Sequence, residues 1–154
     1  MRQRQRGVSA VALAIGVAAV IVLAVVVIPT LLPSHLSAKE ASAVDSLRML
    51  NSACATYWMT YGGYPRSLAN LGPGASVSAA TAALIDSALA SGNRDGYVFT
   101  YTPGATGISG NVLSYSITAN PVTANSGRRF FSDQSGVVRA NVTGAADVNS
   151  TPIG

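Results

Sequence analysis

From Val8 to Ile28 the chain carries no charged residue, and its only hydroxyl in that run is that of Ser9. A continuous apolar surface of this kind is driven out of water. As a helix rising 1.5 Å per residue, the run covers roughly 30 Å, the hydrocarbon thickness of a bilayer. The apolar core of a secretory signal is shorter, about 7–15 residues, and ends at a small-residue cleavage motif. Here the run is followed by a segment bounded by Pro29 and Pro33, with no A-x-A pattern at the junction. Arg2, Arg4 and Arg6 precede the run and no basic residue directly follows it. By the positive-inside rule this places the N-terminus in the cytoplasm and the remainder across the membrane, on a single span.

The charge distribution agrees with that division. Charged residues make up only 10% of the 154 residues, and the formal net charge is +4. Three of those charges belong to the leader arginines, so the rest of the chain is close to neutral. The basic balance therefore belongs to the leader and weighs against nucleic acid as a partner. A portion of about 120 residues remains to bury one modest core.

Pro29 and Pro33 each remove a backbone donor and bend a helix. Beyond them apolar residues recur at helical spacing: Leu36, Val44, Leu47, Leu50 or Met49, Cys54, Trp58 or Tyr57, and Tyr61. That stripe predicts an amphipathic helix ending at Gly62-Gly63, with Lys39, Glu40, Asp45, Arg48 and Asn51 on its polar face. A short helical turn is expected from Ser67 to Leu71. A second helix is expected from a cap at Ser76 or Ser78, closed by Gly92. From Gly96 the period changes to two. The stretches 96–102, 112–119, 128–133 and 136–142 are rich in aromatic and β-branched residues, bounded by Gly, Pro and Asn turns. The expected fold class is α+β: a long N-terminal helix, its apolar half membrane-spanning and its second half amphipathic. That helix would pack on a small antiparallel sheet of about four strands, with a short second helix.

Groups that carry chemistry are few. His35 and Cys54 are the only residues of their kinds. His35 lies close to Pro33, which suits a surface role, and Cys54 falls on the apolar stripe, which suits a small core residue. The acids Glu40, Asp45, Asp86, Asp95, Asp133 and Asp147 are scattered singly, and no phosphate-binding loop or dinucleotide fingerprint is present. No catalytic, cofactor or metal residues are assigned, and an enzyme is not expected. Arg128-Arg129 beside Phe130-Phe131 place cations next to aromatics. Alternation along a strand would send one phenylalanine to the core and the other to an interface.

Taken together, a short basic leader, Gly7, a long apolar run with Pro29 near its end, then KEASAVDSLRMLNSACATY and YGGYPRSLANLG resemble the type IV pilin and pseudopilin family. The resemblance implies cleavage between Gly7 and Val8 by a prepilin peptidase, followed by N-methylation of Val8. It implies storage in the inner membrane, then polymerisation with copies of itself and related pilins by an assembly machinery into a periplasmic or extracellular filament. Ala12 and Gly16 begin a small-residue face suited to close helix packing, and Pro29 would mark the bend. The implied organisation is a leader over 1–7, a transmembrane and filament-core helix over 8–33, a globular domain over 34–144 and a flexible tail over 145–154. Two positions depart from the family: mildly, Val8 stands where phenylalanine is common, and, more consequentially, Ala12 stands where the family usually has a glutamate. That absence fits a minor, tip-type pseudopilin of a secretion or DNA-uptake machine, the main alternative. A further alternative is an uncleaved single-pass periplasmic binding module. Major pseudopilins hold a calcium in a C-terminal loop, but Asp95 and Asp133 stand in acid-poor surroundings that suit turns better.

Overall fold

The structure, a computed structural model, describes residues 37–123 and 127–153. The chain divides into two units, Met1–Leu36 and Ser37–Gly154, and the second contains all the described residues. Its first element, α1, is a helix over residues 37–61. Ala43, Leu47, Leu50, Ala53, Cys54 and Tyr57 recur at helical spacing and are buried along one face. Val44, Trp58 and Tyr61 flank that face half-buried, whereas Met49 is exposed. Gly62 ends the helix at φ +74°, its N–H donating to the Trp58 carbonyl at 2.8 Å. Glycine takes this left-handed conformation without a Cβ penalty.

After a 3₁₀ turn at Leu68–Leu71 comes α2, the single helical turn Ser87–Ala90. Six strands follow: β1 (Asn93–Arg94), β2 (Tyr97–Pro103), β3 (Tyr115–Pro121), β4 (Arg129–Asp133), β5 (Arg139–Asn141) and β6 (Thr151–Pro152). They lie side by side in chain order as one antiparallel sheet. The inward positions alternate as a pleat requires. One row across the sheet runs Phe99, Ala119, Phe130, Ala140. All four are buried, and the alternation of large and small side chains makes room for both phenyl rings. The α1 stripe joins this row in one core cluster.

Three expectations are corrected. The sheet has six strands rather than four: β2 to β5 correspond to the four alternating stretches, and β1 and β6 flank them. β1 arises because Asp95-Gly96 forms a two-residue hairpin turn, with φ of +49° and +82°, the paired positive angles that a type I′ turn needs. The helix expected from Ser76 or Ser78 to Gly92 is reduced to α2. Upstream of it, Ser78 and Thr81 exchange backbone hydrogen bonds, Thr81 Oγ1 donates to the Ser76 carbonyl, and Asp86 caps α2 through the Leu89 N–H at 2.8 Å. Hydroxyl and carboxylate side chains thus give this backbone local alternatives to a helix.

The long N-terminal helix is corrected as well. Among the described residues no helix is long and apolar enough to cross a membrane, which goes against the single-pass inner-membrane placement. α1 is amphipathic, with charged residues along one side, and is held against a sheet. The Val8–Ile28 run on which that placement was based lies outside the described residues.

Candidate functional site

Polar side chains tie α1 to the sheet at two levels. Near its start, Glu40 accepts from both the Arg128 backbone N–H at 2.9 Å and the Arg128 Nε at 3.0 Å. The Glu40 side chain is only 13% exposed, so this is a sheltered, charge-assisted contact. Ser42 donates to Asp95 at the β1–β2 turn. At mid-helix, Asn51 donates to Ser132 Oγ at 2.7 Å and accepts from the Tyr115 hydroxyl at 3.1 Å, while the Ser132 hydroxyl donates to the Val137 carbonyl at 3.0 Å. Glu40 and Asn51, both expected on the solvated face, are therefore fastening points between helix and sheet.

Next to that network sits Cys54, fully buried. Burial pushes its thiol up to about 12, a hydrogen bond with Tyr115 pulling the other way. Such a thiol is protonated at neutral pH, and it is the thiolate that acts as nucleophile or metal ligand. Burial likewise raises Tyr115 and Tyr101, with the neighbouring Cys54 adding to both, and the two rings stack at 5.6 Å. Tyr97 is pushed up to about 12 by burial and by the Glu40 charge, against the pull of Arg128. This part of the molecule is a neutral, hydrogen-bonded core.

A concave surface lies at the C-terminal end of α1. A cleft of about 370 Å³ is lined by Tyr57, Tyr61, Tyr64, Arg66, Asn111 and the Gly110 backbone, among others. Tyr57 and Tyr61 stand one turn apart on α1, with ring centroids 4.6 Å apart and planes at 47°. Tyr64 leans against Trp58 at 4.6 Å and against Tyr115 at 4.7 Å. The opposite wall is the β2–β3 loop. It is bound to the first wall by Arg66 Nη2 to the Gly110 carbonyl (3.0 Å), Asn111 Nδ2 to the Gly62 carbonyl (3.0 Å) and the Tyr64 N–H to the Val112 carbonyl (2.9 Å). Tyr57 is held by its hydroxyl donating to the Ala79 carbonyl at 2.7 Å. The cleft is thus built before any ligand arrives, and its size is at the low end of the ~300–1,000 Å³ usual for small-molecule sites.

The site residues assigned from the sequence fall outside the described part of the chain. Gly7, Val8, Ala12, Gly16, Pro29, His35 and the leader arginines Arg2, Arg4 and Arg6 lie outside the described residues. Asp133 makes a turn, accepting from the Ser135 N–H at 2.9 Å. Phe130 is core and Phe131 is half-buried on the opposite sheet face, as alternation predicts. Among the described residues no group of three or more His, Cys, Asp or Glu side chains could hold a metal ion. On the sequence alone Tyr57 and Tyr61 belong to the core stripe of a helix that ends at Gly62-Gly63, which leaves this cleft unmarked. The recurrence of tyrosine at 57, 61 and 64 with Arg66 beside it was the available signal. Comparison with protein-family models, curated proteins and solved structures finds no match to this chain.

Proposed function

We propose that the chain is a subunit of a pilin-like filament, processed after Gly7 and assembled through its apolar N-terminal segment. The observation that carries the reading is the order of parts along one chain. A leader with three arginines ends at a glycine, a charge-free run follows, and then an amphipathic helix docks on an antiparallel sheet. The apolar run needs a partner surface, and copies of itself, small-residue-rich and free of charge, would provide one. The sheet domain would then form the outer body and present its cleft and loops.

Ala12 favours a minor subunit within this reading, because the usual glutamate is replaced by a side chain with no charge to pair. Mass spectrometry of the native N-terminus tests the proposal. The expected species begins at methylated Val8, and Gly7→Leu should accumulate with its leader attached. Normal processing of that variant, or an unprocessed Met1 terminus in the parent, would overturn it. Stoichiometry in sheared filaments separates the two roles, a minor subunit being present in small proportion.

A further inference from the structure

We propose that the cleft between the end of α1 and the β2–β3 loop binds a sugar acid, a pyranose ring carrying a carboxylate. The lining offers three kinds of contact. Tyr61 and Tyr64 are half-buried in the lining, and the ring surface left over from their packing on Tyr57, Trp58 and Tyr115 suits the C–H-rich face of a saturated ring. Their hydroxyls have no hydrogen-bond partner among the described residues, so both remain available to a polyol, each able to donate and accept.

Arg66 supplies the third contact. It is the only charged side chain in the lining, and no carboxylate accompanies it. One of its nitrogens is committed to the Gly110 carbonyl, which fixes the guanidinium, and the other N–H groups remain for an anion. A neutral sugar would make no use of that cation. A small carboxylate without a ring would make no use of the tyrosines.

The proposal does not depend on filament assembly and is tested on the unassembled full chain. Glucuronate, glucose and acetate are titrated separately, followed by saturation-transfer NMR and by the fluorescence of Trp58, which touches Tyr64. Glucuronate is expected to bind in the range of roughly 1 mM or tighter, with glucose and acetate each weaker by about 10-fold. Arg66→Gln, at an exposed position, should weaken glucuronate by about 10-fold and abolish its advantage over glucose. Tyr61→Ala should weaken glucuronate and glucose alike, and its circular dichroism spectrum confirms that it is folded. If Tyr61→Ala does not fold, Arg66→Gln and the three-ligand comparison decide alone. Equal affinity for glucuronate and glucose, equal affinity for glucuronate and acetate, no binding of glucuronate, or an Arg66→Gln variant indistinguishable from the parent would each overturn the assignment.

Discussion

Asn51 shows how much one polar side chain can settle. It is half-buried, and the Ser132 and Tyr115 groups it joins lie on two different strands. Asn51→Ala would leave the Tyr115 hydroxyl with only the Cys54 sulfur as a partner and remove one of Ser132's two partners. A stability loss of about 1–3 kcal/mol is expected, measured by urea unfolding. Tyr115→Phe should cost less, because it removes donor and demand together, and the double variant should lose less than the two singles added. The sequence showed the apolar side of α1 well, since Leu47, Leu50 and Cys54 follow the helical period and are buried. It did not show the role of Asn51 or Glu40. A polar residue on an amphipathic helix looks solvated until the strand that meets it is known, and Ser132 and Arg128 are far along the chain. The cleft was hidden for the same reason. Its two walls are contributed by residues near 60 and near 110, and only the fold brings Asn111 to Gly62.

At the scale of elements, the four long strands were legible because each buries one face and alternates. β1 and β6 were not, because a two-residue strand has no period to detect. β1 depends on the joint between α2 and the sheet, where Gly92 has φ +81° and its carbonyl accepts from the Phe99 N–H at 2.7 Å. A Cβ placed there would come 2.8 Å from the Phe99 carbonyl oxygen, which is backbone and cannot swing aside. Gly92→Ala is therefore expected to cost about 1–3 kcal/mol through the left-handed angle and the clash together. Urea unfolding measures the loss, and amide hydrogen exchange should show faster opening at Phe99 and β1 than in β4. A variant as stable as the parent would mean that the α2–β1 joint is free to rearrange. The second helix forms only in its last turn, because the helix propensity of its alanines is outweighed by hydroxyls bonding the local backbone.

Across the whole molecule, helix and sheet meet through a core that is unusually phenolic, and this sets its response to alkali. Cys54 ordinarily ionises near 9 and tyrosine near 10, yet burial holds Cys54 and Tyr97 up to about 12 and raises Tyr101 and Tyr115 as well. Each is neutral when protonated, so the folded state keeps protons that the unfolded chain has begun to lose. Stability is then fully present below pH 9 and falls as pH rises through the folded values, by at most about 1.4 kcal/mol per pH unit for each group. Urea midpoints should be level from neutral pH to about 9 and then decline steeply, the slope growing once the tyrosines of the unfolded chain ionise near 10. Cys54→Ala leaves a small cavity and should start less stable, yet its decline between pH 9 and 10 should be shallower than the parent's. An ultraviolet titration completes the test. Phenolate absorbance of the buried tyrosines should appear together with loss of the folded circular dichroism signal, rather than before it. Early ionisation of these tyrosines in a still-folded chain, or an equal slope in Cys54→Ala, would show that the α1–sheet core admits water and that burial is not what keeps these groups protonated.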